Sequence, residues 1–169
     1  MLSLKKIYLR VRYCMILKSI LHVLAMNAPH DFIRIPLYRM RGSKIGKKVG
    51  IAHGVFLEEA RPYLITIEDG VNIGPGAIIV THDSSYHCVS PEIPIISGSV
   101  IIKRNAFVGA GSIILPGIVI GEKSIIAAGS VVTKDVPPMT IVAGVPATVV
   151  GNVDEAILKL KNRSRIEKK

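Results

Sequence analysis

The side chains best suited to chemistry are His82 and His87, two histidines five residues apart in the segment THDSSYH. An imidazole titrates near neutral pH, so it can take a proton from a hydroxyl or, in its neutral form, bind a metal ion. Asp83 could orient an imidazole, but a carboxylate in this position is also typical of a loop turn, and we favour the turn. The residues by themselves therefore allow a general base, a metal ligand or a solvated loop histidine.

These histidines interrupt a six-residue repeat that dominates the chain. Aliphatic residues occupy every sixth position in three runs, a period that fits neither an amphipathic helix nor a half-buried strand. It is typical of a parallel β-helix, in which three short strands form each triangular coil and the aliphatic side chain fills the interior. Twelve hexapeptides predict four coils, and the inward sites are Ile45, Ile51, Leu57, Ile67, Ile73, Ile79, Ile102, Val108, Ile114, Ile120, Ile126 and Val132.

Two gaps in the repeat predict insertions. Four extra residues lie near Arg61, and 17 extra residues separate Ile79 from Ile102, where the spacing is 23 instead of six. Long loops on a rigid scaffold often carry function. The predicted domains are a basic helical arm and cap at 1–43, a β-helix at 44–150 with a loop insertion at 81–98, and a C-terminal helix or tail at 151–169.

Positive charge is concentrated at the N-terminus. Residues 1–50 hold 11 Lys or Arg and one acidic residue, whereas residues 51–150 hold five and eight. A nucleic-acid-binding face would spread basic residues over the domain body, so we expect no nucleic-acid partner. With only Cys14 and Cys88 and no CxxC motif, a reducing, cytoplasmic location is the simpler prediction.

The basic arm is predicted to be helical. Apolar residues recur at spacings of three or four from Leu4 to Leu24, and a second helix is expected over Asp31 to Arg41, with Asp31 as its N-cap and Gly42 at its end. We interpret residues 30–41 as a cap on the open end of the β-helix. Residues 4–26 also suit peripheral contact with the inner face of the cytoplasmic membrane. The basic residues for that contact are Lys5, Lys6, Arg10, Arg12 and Lys18.

Three segments carry a family resemblance: THD at 81–83, VIIKRNAFVGAGSIILPGIVIGEKSIIAAGSVVTKDVP at 100–137, and AGVPA at 143–147. In kind and order they resemble the hexapeptide-repeat acyltransferases, specifically the maltose, galactoside and xenobiotic O-acetyltransferase branch. The resemblance covers about residues 42–150. It implies a mainly β fold, a left-handed parallel β-helix, and acetyl-CoA-dependent acyl transfer in a homotrimer whose active sites lie between adjacent subunits.

The resemblance assigns roles to five residues. His82 matches the histidine at the head of the family's extended loop and is the candidate catalytic base, with His87 as the alternative. The pantetheine arm of acetyl-CoA would pass the small residues Ala110 and Ala128 and reach Thr133 and Lys134, where the ammonium could bind a CoA phosphate. The family often has Lys or Arg where this chain has Thr148, so one phosphate contact is missing or supplied elsewhere.

The predicted function is acetyl transfer to a hydroxyl of a sugar or related small molecule, in the modification of surface polysaccharide or of lipid-linked sugars. The acceptor stays open, since a sugar hydroxyl, a sugar amine and an antibiotic hydroxyl suit the same base. No metal is expected. Two alternatives use the same fold: a zinc enzyme resembling the γ-type carbonic anhydrases, with His53, His82 and His87 as ligands, and a non-catalytic β-helix.

Overall fold

A computed structural model describes residues 4–166, and the side chains of residues 16–163. Two helices precede the coils, α1 (Leu4–Asn27) and α2 (Asp31–Arg41), as predicted. Gly42 ends α2 in the left-handed region, at φ 116°. The predicted N-cap was wrong: His30 holds that position, and Asp31 is the first helical residue, its carboxylate accepting a 2.9 Å hydrogen bond from Arg34.

The coils consist of strands two or three residues long. The first insertion forms a short 3₁₀ turn at Pro62–Leu64, ahead of the second coil. In chain order the strands are β1 (Lys44–Ile45), β2 (Gly50–Ile51), β3 (Phe56–Leu57), β4 (Ile65–Ile67), β5 (Asn72–Ile73), β6 (Ile78–Ile79), β7 (His82–Asp83), β8 (Ile96–Ser97), β9 (Val100–Ile102), β10 (Phe107–Val108), β11 (Ile113–Ile114), β12 (Val119–Ile120), β13 (Ile125–Ile126), β14 (Val131–Val132), β15 (Thr140–Gly144) and β16 (Ala147–Asn152).

Three parallel sheets form the walls of the coil stack. The first contains β1, β4, β9 and β12; the second contains β2, β5, β10, β13 and β15; and the third contains β3, β6, β11 and β14. The register keeps the inward sites in line, because Ile51 pairs with Ile73 and Val108 pairs with Ile126. Eleven of the twelve predicted inward residues are at most 2% exposed, and Ile45 is half-buried at the open end. The predicted coil stack is thereby confirmed.

A hairpin and a helix follow the last coil. Strand β15 pairs with β13 in parallel and with β16 in antiparallel, and a cis peptide bond precedes Pro146 in the turn between them. Helix α4 (Val153–Ile166) begins where the Asn152 side-chain oxygen accepts hydrogen bonds from the backbone N–H groups of Asp154 and Glu155. No helix in the described part of the chain is long and apolar enough to cross a membrane.

Helix α2 covers the open face of the first coil. Backbone N–H groups donate to carbonyls of the neighbouring coil in both directions, as Gly50 does to Val71 and Gly70 does to Lys47. The first coil has no coil beyond it, so the carbonyls on its outer side need other donors. Two buried side chains of α2 donate to such carbonyls: Arg34 to Ile51, and Tyr38 to Val55. Burial raises the pKa of Tyr38 to about 12, against the opposing effect of the nearby arginines, so the hydroxyl stays a donor.

Arg41 makes the widest set of these contacts. Its guanidinium donates to the carbonyls of Leu57, Glu58 and Glu59, each at 3.2 Å, and the residue is only 2% exposed. Exposed Arg39 donates to the carbonyls of Ile45 and Gly46 at the rim. Part of the N-terminal positive charge thus supplies hydrogen-bond donors to a β-helix end.

We predict that Arg41→Met lowers the free energy of unfolding by about 3 kcal/mol, because it leaves buried carbonyls without donors. Urea denaturation measures this change. Arg39→Met is the matched control at an exposed site and should cost no more than about 1 kcal/mol. Equal losses in the two variants would contradict a special role for the buried guanidinium.

Candidate active site

His82 stands where the long insertion leaves the coil stack. It lies in β7, just after the coil strand β6, and β7 pairs in antiparallel with β8 at the other end of the insertion. The backbone N–H of Gly98 donates to the carbonyl of Thr81 at 3.0 Å and closes the loop at its base. A histidine on a long loop is in this way held against the rigid stack.

Glu58 is the partner of His82. It follows β3 on the neighbouring coil, is 3% exposed, and its Oε2 accepts a hydrogen bond from His82 Nδ1 at 2.8 Å. A neutral imidazole that donates from Nδ1 carries its lone pair on Nε2, so Nε2 is the atom able to take a proton. His82 itself is about one-third exposed, which leaves that atom accessible to a ligand.

Backbone groups hold the Glu58 carboxylate in its ionised form. Its Oε1 accepts from the N–H of Ala60 at 3.0 Å and its Oε2 from the N–H of Thr81 at 3.2 Å. Burial, the largest single influence, raises the pKa of Glu58. The two N–H groups together with His82 outweigh it and bring the pKa below its ordinary value.

A pocket of about 470 Å³ opens beside this pair. Helix α1 forms one wall with Lys18 and Ser19, and Ser19 Oγ donates to Glu59 Oε1 at 2.8 Å. Buried His22 of the same helix packs edge-on against Phe56, with ring centroids 5.0 Å apart. The full lining is Lys18, Ser19, Phe56, Glu58, Glu59, Ala60 and His82.

Sequence reasoning missed Glu58 and the contribution of α1. Glu58 directly follows the inward residue Leu57, and Leu57 pairs with Ile79, the last inward residue before the insertion. An acidic residue at this level of the stack lies close to the start of the insertion. That position could have predicted a contact with His82. The contribution of α1 depends on how the arm packs, and spacing along the chain carries no such information.

The other polar residues of the loop have local roles. Asp83 Oδ1 accepts a 2.8 Å hydrogen bond from the backbone N–H of Ser85, in agreement with the predicted turn role. His87 Nδ1 donates to the carbonyl of Ile93 at 2.8 Å within the loop. His53 is exposed at a corner of the first coil. Among the described residues no three His, Cys, Asp or Glu side chains lie together as a metal site would require.

The four predicted acetyl-CoA contacts lie on two edges of the third sheet. Ala110 and Ala128 are exposed at one corner on adjacent coils, joined by the Gly129 N–H to Ala110 carbonyl hydrogen bond of 2.8 Å. Thr133 and Lys134 are exposed after β14, at the other edge. The strand leading to His82 is two strands away from β14, about 10 Å at ordinary strand spacing. One chain therefore does not gather all of them in one pocket, and their roles stay predictions.

Comparisons with known proteins agree with this architecture. The family model described as bacterial transferase hexapeptide (six repeats) matches residues 99–134. The putative acetyltransferase YvoF of Bacillus subtilis (strain 168) is 30% identical over 161 residues, which are 94% of this chain and 90% of YvoF. The galactoside O-acetyltransferase of Escherichia coli (strain K12) is 33% identical over 125 residues, 73% of this chain, and the match spans only 62% of that enzyme.

A solved structure extends the comparison to the fold. The hexapeptide-repeat acetyltransferase VCA0836 of Vibrio cholerae O1 biovar eltor, in complex with acetyl coenzyme A, has a TM-score of 0.65 and 25% identity. The similarity covers 85% of this chain and 89% of that one. The fold class predicted from the repeat, a left-handed parallel β-helix with helical ends, is confirmed by such neighbours.

The lowered pKa of Glu58 predicts a pH-dependent contribution to stability. A carboxyl group whose pKa is lower in the folded state stabilises the fold above its ordinary value of 4.5 and loses this effect as the pH falls through the folded-state pKa. Glu58→Gln should therefore lower the free energy of unfolding at neutral pH, and the gap to wild type should narrow below pH 4.5.

Urea titrations at several pH values measure this gap. Glu59→Gln, at the exposed neighbouring carboxylate, is the matched control and should change stability little. A difference in unfolding free energy between wild type and Glu58→Gln that stays constant from neutral to acid pH would argue against an ionised Glu58 carboxylate in the folded protein.

Proposed function

The chain belongs to the hexapeptide-repeat acyltransferases, and from this we propose that it transfers an acetyl group from acetyl-CoA to a hydroxyl of a sugar or related small molecule. The observation that carries the proposal is the His82–Glu58 pair at the mouth of a pocket. Burying a carboxylate costs free energy unless it is hydrogen-bonded, and the Glu58 carboxylate is hydrogen-bonded to an accessible imidazole. That arrangement suits a general base.

The proposed reaction uses His82 twice. When bound, acetyl-CoA supplies an acyl group activated as a thioester. His82 Nε2 takes the proton of the acceptor hydroxyl as the new oxygen–carbon bond forms, and returns it to sulfur as the carbon–sulfur bond breaks. Glu58 is a positioning residue: it fixes the ring through Nδ1 and stabilises the positive charge that His82 carries between the two transfers.

We further propose that the donor site is completed by a second subunit of a homotrimer. The predicted contacts Ala110, Ala128, Thr133 and Lys134 border the third sheet, whose outward residues are all apolar and only half-buried in one chain. An outward sheet face in water normally carries polar side chains. A neighbouring subunit on this face would cover it and bring a second wall to the cleft. The outward residues are Phe56, which packs against His22 of α1, and Ile78, Ile113 and Val131.

The acceptor that we propose is a sugar of a surface polysaccharide or a lipid-linked precursor. One relative is named a galactoside O-acetyltransferase, which supports a sugar hydroxyl as the chemical class. The pocket offers the polar side chains of Ser19 and Glu59 in addition to the His82–Glu58 pair, and such groups can bind sugar hydroxyls.

His82→Ala tests the proposed base. Turnover should fall by about 10²- to 10⁴-fold, while the affinity for CoA and the mass of the oligomer stay unchanged. Release of the CoA thiol with a panel of sugars as acceptors measures turnover. His87→Ala is the matched control, since that imidazole is bonded within the loop, and it should keep near-normal turnover. Near-normal turnover in His82→Ala would remove the assignment.

Lys134→Ala tests the donor site. If the exposed ammonium binds a CoA phosphate, its loss should weaken CoA binding by about 10-fold, the value of one charge-assisted hydrogen bond. Calorimetric titration with CoA gives the affinity, and Lys123→Ala, at an exposed lysine of another corner, is the control. An unchanged affinity in Lys134→Ala would exclude this lysine as a phosphate ligand.

A further inference from the structure

Helix α1 has an aliphatic face that no other described residue covers. One side of the helix packs on the domain through His22 and Ala25, which are buried. At 3.6 residues per turn, the opposite side carries five aliphatic residues, each 50–58% exposed. This outer face of α1 consists of Ile16, Leu17, Ile20, Val23 and Leu24.

The outer face is unusual for a helix that lies on a domain in water. Such a helix normally turns polar side chains outward. In this part of α1 the outer side is aliphatic, whereas the polar residue His22 is buried against the domain and Lys18 and Ser19 line the pocket. A contiguous exposed aliphatic surface of this kind marks an interaction site.

The charge of α1 indicates what the face contacts. The helix contains five Lys or Arg and no Asp or Glu, a net charge of +5. Four of these basic residues, Lys5, Lys6, Arg10 and Arg12, fall in its first half, and their side chains lie outside the described residues. Basic groups that attract anionic headgroups, next to aliphatic groups that enter the acyl boundary, are the combination that binds a lipid surface.

We infer that the outer face of α1 docks the protein on an anionic lipid bilayer. A second copy of the chain fits this face less well. A contact between this face and the same face of a second copy would place two helices of charge +5 together, and such a two-fold contact is not the kind that joins the subunits of the proposed trimer. A bilayer of anionic lipid complements both the charge and the aliphatic surface.

The inference deepens the proposed function and rests on it in one respect: the substrate class. Helix α1 also forms a wall of the candidate active-site pocket through Lys18 and Ser19. A helix held at the bilayer keeps His82 close to the lipid surface, where a sugar carried on a lipid is concentrated. The acceptor is then a lipid-linked sugar in preference to a free one.

A single tryptophan can report the docking, because the chain contains none. Ile20→Trp places the probe on the outer face of α1, and Val149→Trp places it on β16, at a residue that is 65% exposed. Each full-length variant is mixed with vesicles of phosphatidylcholine and phosphatidylglycerol, or of phosphatidylcholine alone. We expect a blue-shifted emission that brominated phospholipid quenches for Ile20→Trp with the anionic vesicles only, and no change for Val149→Trp.

Co-sedimentation with the same vesicles tests the two contributions separately. Ile20→Ser combined with Leu24→Ser should abolish binding, and Lys5→Gln combined with Lys6→Gln should weaken it by about 10- to 30-fold. His82→Ala should bind like wild type, so that failure of the docking and failure of the proposed chemistry are distinguishable. Circular dichroism and turnover with a soluble acceptor verify that the Ile20/Leu24 variant is folded.

Three outcomes would overturn the inference. Wild type that does not sediment with anionic vesicles, or a serine variant that sediments as well as wild type, excludes lipid docking through this face. A serine variant whose oligomer has a lower mass than wild type in light scattering shows instead that the face joins copies of the chain. An unchanged oligomer mass together with lost vesicle binding is the result that supports a bilayer.

Discussion

The structure depends on the pairing of backbone groups between successive coils. An inner coil pairs with a coil on each side, as β5 does with β2 and β10, whereas the first coil has a neighbouring coil on one side only. The carbonyls on its outer side therefore need donors from outside the stack. A β-helix of this kind needs a donor-rich cap at its first end, and α2 provides it with Arg34, Tyr38 and Arg41. Unpaired buried carbonyls would otherwise cost stability or recruit another strand.

The same rigid stack explains how a loop histidine acquires a fixed orientation. Glu58 belongs to one coil and Thr81 to the next, and the ladder sets their spacing before the loop begins. The Glu58 carboxylate thus accepts two hydrogen bonds from backbone groups and a third from His82. An imidazole oriented by a scaffold carboxylate is better defined than one held by loop residues alone.

Helix α1 connects the end of the stack with this site. Its packed face contacts Phe56 through His22, and its edge lines the pocket through Lys18 and Ser19. The outer face of the helix, by contrast, is aliphatic and exposed. The two helices of the N-terminal arm therefore contribute in different ways: α2 donates hydrogen bonds to the first coil, and α1 forms a wall of the pocket.

The sequence by itself determined the coil stack, its four turns and the place of the long loop, because a period of six with Ile, Leu or Val inside reflects a local rule repeated many times. It also identified His82 as the residue to examine. The pairing with Glu58, the donors from α2 to the first coil and the wall from α1 emerged only in the tertiary structure. Each of these contacts joins residues that are far apart in the chain; Glu58 and His82 are 24 positions apart. Each occurs only once in the described structure, so neither a repeat nor a spacing in the sequence predicts it. Asp31 shows the same limit on a local scale. Its carboxylate accepts a hydrogen bond from Arg34, and His30 occupies the N-cap position that the sequence predicted for Asp31.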